Sequence, residues 1–229
     1  MANTNAPNGF QQYSGTGSAP TYEQVALSIS PTSSTNPQIF SGDPVAQLST
    51  GYICQLGTNS TTNTPAAGSG VLVGVFIGCK YLSVSQKRTA WSNYFPGVGD
   101  VNSAAGVEAY VITDPNAKFI VQAGSTAVGV ANIGENIGVA YGTGTGSNTN
   151  TLGTTPGNVS TGLSTAYADS TSVMGTAATY PFRVIGLANY APDGSNPLQS
   201  IPGNDYTAAY NRIIVSFNNT AMKSGVLGT

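Results

Sequence analysis

Residues 76–97, FIGCKYLSVSQKRTAWSNYFPG, gather most of the side chains in this sequence that could do chemistry. They hold Lys80, Lys87 and Arg88, three of the seven basic residues, and Cys79, one of the two cysteines. They also hold the only tryptophan, Trp91, which leads into Tyr94, Phe95 and Pro96. Three cations in one segment could bind phosphate or sulfate. Trp91 and Tyr94 could stack on sugars or bases. Trp, Tyr and Arg are also the residues that anchor protein interfaces. Against these stands packing: Trp91, Tyr94 and Phe95 closing the end of a β domain. The burial behaviour of large aromatics favours packing, and a protein contact is compatible with either.

Other chemistry is sparse. The chain has no histidine, which removes Ser–His–Asp, Cys–His and His-based zinc sites. Its nine carboxylates are scattered, with no spacing that marks a glycosidase pair. Asp114, Asp193 and Asp205 read as turn acids. Gly142, Gly144 and Gly146 alternate, but a phosphate-cradling loop needs a helix after it, and SNTNTLGTTPGN cannot start one. No catalytic residue, cofactor or metal is expected. A net charge of −2 argues against nucleic-acid binding, which needs basic residues on one face to displace counterions. No run reaches the ~18 apolar residues of a membrane span. MANTNAPNGFQQYSG has neither a basic nor an apolar leader region, so no signal peptide is expected. Cys54 and Cys79 are then expected reduced and buried, as small hydrophobes.

The elements that must position residues 76–97 read as strands. Short strand-forming runs alternate with Gly, Pro, Ser, Thr and Asn, and no stretch has helical periodicity. The expected fold is all-β, a β-barrel or sandwich with long irregular loops. Strands are expected at 52–56, 71–81, 106–113 and 117–123. Weaker ones are expected around Val128 and Val139, and further ones near 172–175, 181–189 and 212–217. Gly74 and Gly78 interrupt the longest run and predict bulges or close backbone approach. Asp114-Pro115-Asn116 predicts a turn, read as closing a hairpin. Residues 142–170 read as a flexible Gly/Ser/Thr/Asn loop. Residues 1–50 read as an extended N-terminal arm, with Phe10, Tyr13 and Tyr22 as its aromatics, and 51–229 as the β-domain. One apolar alternation within the arm, Val25, Leu27 and Ile29, marks an added strand. Charged residues make up only 7%, against about 25% in ordinary domains. A neutral polar surface suits a protein packed into an assembly.

The segments VGVFIGCKY (73–81), SNYFPG (92–97), VEAYVITDPNAKFIVQA (107–123), GENIGV (134–139), FRVIGLAN (182–189), Tyr206 and RIIVSF (212–217) carry a further signal through their order. Together they resemble the head decoration or cement proteins of tailed bacteriophages. The loop at 142–170 is longer than that pattern, and residues 1–50 have no match in it. The resemblance implies a virion protein on the outer surface of the capsid, made in the host cytoplasm. It implies no catalytic residues, the major capsid protein as partner, and self-association into dimers or trimers on the shell. The candidate interface is then Phe10, Tyr13, Tyr22, Lys80, Lys87, Arg88, Trp91, Tyr94 and Phe95. The alternative is a tail-associated or surface adhesin with a carbohydrate-binding β-domain. A hydrolase is disfavoured by the missing histidine, and a main shell subunit by the missing spine helix.

Overall fold

The computed structural model describes residues 3–14, 24–32, 38–48, 50–57, 71–97, 99–142, 144, 157–188 and 205–228. Its strands run in chain order as β1 (Gln11–Ser14), β2 (Gln24–Ile29), β3 (Ile39–Phe40), β4 (Pro44–Gln47), β5 (Ile53–Gln55) and β6 (Leu72–Ser83). Then come β7 (Arg88–Ser92), β8 (Tyr94–Phe95), β9 (Val107–Ile112), β10 (Lys118–Gln122) and β11 (Asn136–Tyr141). The last are β12 (Gly157–Asn158), β13 (Leu163–Ser164), β14 (Ala166–Gly175), β15 (Phe182–Leu187) and β16 (Arg212–Phe217). One short 3-10 turn, Val130–Asn132, is the only helical element among the described residues.

Two antiparallel sheets make a sandwich. The first has the order β1-β10-β16-β15-β11-β14, and the second β2-β9-β6-β4-β5, with β7 pairing the far half of β6. Two-stranded ladders β12–β13 and β3–β8 sit beside them. Alternation assigns the faces. On β16, Ile213, Val215 and Phe217 are buried while Arg212, Ile214 and Ser216 are not. On β10, Phe119 and Val121 point the same way into the core. The main core lies between the inner face of the first sheet and Ala46, Cys54, Leu72, Val75 and Ile112 of the second. A second core covers the other face of the second sheet, with Ile39, Phe76, Cys79, Tyr81 and Phe95. The first half of β6 is therefore buried on both faces, which is why its sequence reads as one apolar run.

The barrel alternative does not hold. Gly9 N–H donates to Ala166 O at 3.2 Å, and Gly124 N–H to Ala168 O at 3.0 Å, so the margins of the first sheet approach each other. No continuous ladder joins them among the described residues, and there is no closed barrel.

Several expectations are corrected. Residues 1–50 do not form a separate arm where they are described. β1 pairs β10, β2 pairs β9, and β4 lies between β5 and β6. Isolated aliphatics and aromatics in a polar stretch look too few to build a core, yet they suffice to complete one begun elsewhere. Asp114 does make a turn: Asn116 N–H bonds its side chain at 2.8 Å, and Ala117 N–H its carbonyl at 3.0 Å. It closes no hairpin, because β9 pairs β2 and β6 while β10 pairs β1 and β16. The turn passes the chain from one sheet to the other. Of the expected flexible loop, 143 and 145–156 lie outside the described residues, but 157–170 are ordered as β12, β13 and the start of β14. No strand forms at Val128. Instead the buried Asn211 side chain bonds Val128 N–H at 3.1 Å and C=O at 2.9 Å, replacing a strand neighbour.

Candidate functional site

The outer face of β7, β6 and β9 holds the most conspicuous surface group among the described residues. Strand register sets it up. Trp91 on β7 lies opposite Lys80 on β6, Lys80 opposite Glu108 on β9, and Glu108 opposite Ser28 on β2. Cross-strand neighbours on one face stand close enough to interact. Lys80 Nζ accordingly meets Glu108 Oε2 at 2.9 Å and lies 5.3 Å from the centre of the Trp91 ring. The Trp91 ring stacks on Tyr110 with centroids 5.8 Å apart and planes 4° from parallel. Trp91 remains 69% exposed. A shallow cleft of about 530 Å³ runs beside it, bounded by Ser28, Lys80, Leu82, Thr89 and Glu108.

The electrostatics are those of a surface ion pair. The bond to Glu108 raises the Lys80 ammonium above its ordinary value, and the same bond lowers the Glu108 carboxyl. Both groups stay charged at neutral pH. The pair is water-exposed and screened by solvent, so it adds little stability. It fixes the side chains that flank the ring.

The turn between β6 and β7 is built by Asp100. Its carboxylate accepts from Ser85 N–H at 2.8 Å and Ser83 Oγ at 2.8 Å, and these bonds lower its pKa. Lys87 takes a positive φ of 52°, and Arg88 Nε donates to Gln86 Oε1 at 3.0 Å. Lys87 and Arg88 are exposed at the tip.

The expected interface residues do not all gather here. Lys80, Lys87, Arg88 and Trp91 share the β6–β7 hairpin. Trp91 is not packed over a domain end, contrary to the favoured expectation, because its strand position points it to the solvent face. Tyr94 is half-buried and stacks on Phe40 at 5.3 Å. Phe95 and Phe10 are core residues, at 0% and 2% exposure, and are no part of a surface. Tyr13 is exposed on the edge strand β1 of the other sheet, away from the hairpin in topology. Tyr22 lies outside the described residues. Tyr110 and Glu108 were missed. Their signal was present in VEAYVIT, where a period of two puts both on the face opposite Val107, Ala109 and Val111.

The cysteines form no disulfide and are buried, one in each core. Burial pushes the Cys79 thiol up to about 12, so it is inert as a nucleophile near neutral pH. Among the described residues no three His, Cys, Asp or Glu side chains form a group able to hold a metal. No described helix is long and apolar enough to cross a membrane. What the β7–β6–β9 face can do is bind: it offers a flat aromatic surface rimmed by one cation and one anion. Comparison with family models, curated proteins and solved structures finds no match.

Proposed function

We propose that this chain is a non-enzymatic structural protein of a bacteriophage particle. It decorates and cements the outer surface of the capsid by bridging major capsid protein subunits, and it docks through the face around Trp91. The observation that carries the docking is a tryptophan 69% exposed on a rigid sheet, braced by Tyr110 and Lys80. Large aromatics held this way on a free surface are what protein interfaces use as anchors. The capsid as partner rests on the sequence resemblance. The segments that carry it supply β6, β8, β9, β10, β11, β15 and β16, most of the frame of the sandwich. A low surface charge agrees, since the rest of the surface need not stay soluble alone. Several copies on one shell act together, so each contact need only be modest. Self-association into dimers or trimers on the shell belongs to the same proposal.

The test is co-sedimentation of the purified chain with capsids lacking it, followed by electron cryo-microscopy of the decorated shells. The expected result is density on the outer surface with the β6–β7 hairpin against the shell. Failure to bind shells, together with binding to tails or to host glycans, would replace this reading with the adhesin.

A further inference from the structure

The first sheet curls until its margins nearly meet, and the gap left at the seam is a cleft of about 470 Å³. Asn5, Pro7, Gly124, Ser125, Tyr167 and Tyr210 are among its lining residues. Its walls are fixed in place. Gln122 Nε2 donates to Thr4 O at 2.7 Å and to Tyr210 O at 3.1 Å, and its Oε1 accepts from Ala6 N–H at 3.1 Å. Asn3 binds the backbone of Asp205 in both directions, at 2.7 and 2.8 Å. The N-terminal segment and the 205–210 turn are thereby sewn to the end of β10. Tyr210 is held at φ 62°, a left-handed conformation that disfavours a bulky residue, with its N–H on Gly124 O at 3.0 Å. Residues kept in such conformations cluster at ligand clamps. Gly124 sits close to its neighbours: a Cβ there would lie 3.1 and 3.2 Å from the Thr171 and Ser170 hydroxyls and 3.3 Å from the Tyr167 ring, so one of them would have to give by a few tenths of an ångström.

The lining names the ligand. Among the described residues it contains no charged side chain, so none of them selects an anion or a cation. It offers two aromatic rings, and neither stacks on another ring among the described residues. It also offers an amide, two phenols that no hydrogen bond among the described residues engages, and the Ser125 hydroxyl, which shares one bond with Thr171 Oγ1 at 2.9 Å and keeps capacity for another. Aromatic faces beside uncharged hydrogen-bonding groups fit a neutral molecule with one C–H-rich face and a rim of hydroxyls. Pockets of this size commonly hold small ligands. The Trp91 face is the poorer match, since its ring is stacked and its ionic groups bind each other.

We infer that the seam cleft is a saccharide-binding site, taking a neutral hexose unit against Tyr167 and Tyr210, with Asn5 and Ser125 bonding its hydroxyls. The site stands independently of capsid docking, because it lies at the margin of the first sheet and Trp91 on the second.

The test uses the full chain with glucose, galactose and N-acetylglucosamine, read by saturation-transfer NMR and by chemical-shift mapping. The expected result is saturation transfer from at least one sugar, with a Kd of the order of 1 mM. Shifts should concentrate at 123–125, 167 and 210. Tyr210→Gly removes a ring while suiting the positive φ, so it folds and should weaken binding about tenfold or more. Tyr167→Ala should do the same, and Trp91→Ala should leave binding unchanged. No transfer from any of the three sugars overturns the inference. So do shifts confined to 80–110, or undiminished affinity in both tyrosine variants.

Discussion

The carboxylate of Asp43 accepts a hydrogen bond from the hydroxyl of Ser164, 121 residues further along the chain. Its other oxygen accepts from Phe40 N–H at 2.8 Å and Gln55 Nε2 at 2.9 Å. One buried acid thus ties β13, β3 and β5 to the start of β4. Burial is the larger effect and raises its pKa from 3.8 to about 7, against the three bonds that lower it. Between those values the folded chain holds a proton that the unfolded chain has released. Stability therefore rises as pH falls, by about 1.4 kcal/mol per unit. The contribution is complete below the unfolded value and is lost as pH rises through about 7. The chain has no histidine, so no imidazole titrates in this window. Thermal melts from pH 4.5 to 8 should show the midpoint falling toward pH 7 and then levelling. Asp43→Asn should flatten the profile. A wild-type midpoint that climbs from pH 5 to 7 would contradict the assignment.

Phe10 stacks on Phe182 with centroids 4.4 Å apart, and Phe182 in turn packs against Phe119 and Phe217. The N-terminal segment is part of the core, so its loss is a folding defect before it is a binding defect. Phe10→Ala should cost about 3–5 kcal/mol, the usual range for a buried phenylalanine. Deleting residues 1–14 should cost at least as much, and chemical denaturation measures both. A truncated chain with unchanged stability would restore the picture of a detachable arm.

How much of this was legible in the sequence depended on whether the signal was local. β16 was read to the residue, because Arg212 to Phe217 alternate cleanly between one buried and one exposed face. The turn at Asp114 was read because its side chain bonds its own backbone. Its destination was not, because turn chemistry reverses a chain without choosing which strands pair. Phe10 looked like a loose aromatic because the surface that buries it is more than a hundred residues away. Trp91 was singled out by type but expected inside. Only the register with Lys80, set by a long strand and its hairpin, turns it outward. Ser164 sat in a stretch so rich in Gly, Ser and Thr that nothing marked it as the partner of a buried acid.

Gly74 was legible as a place of close approach, and the structure gives the cause. A Cβ there would run into the Ile112 carbonyl oxygen and the Val111 side chain of β9. Backbone cannot yield as a side-chain tip can, so Gly74→Ala must push β6 from β9. Overpacking of this kind costs about 1–3 kcal/mol, which a denaturation midpoint would register. Gly51→Ala is a contrast of another sort: a Cβ there meets nothing, and only its positive φ of 86° opposes the change. Gly74→Ala should be the more damaging of the two. Equal effects would mean that backbone conformation, rather than contact, dominates at both sites.

Trp91 separates binding from folding most cleanly. Its ring touches solvent over most of its surface, and its neighbours Tyr110 and Lys80 are surface residues that keep their own strand pairings without it. Trp91→Ala should therefore change stability by less than about 1 kcal/mol. An anchoring aromatic at an interface typically costs 2 kcal/mol or more on truncation, which is a loss of about thirtyfold in affinity for the shell. Lys80→Ala should act more weakly, because a rim charge pair alters association rate and salt dependence more than affinity. The measurement is capsid co-sedimentation at two salt concentrations, with melting curves for each variant. Lost binding with an unchanged melt places the contact at Trp91. Retained binding by Trp91→Ala moves the shell contact to another face, with the exposed edge strand at Tyr13 next in line.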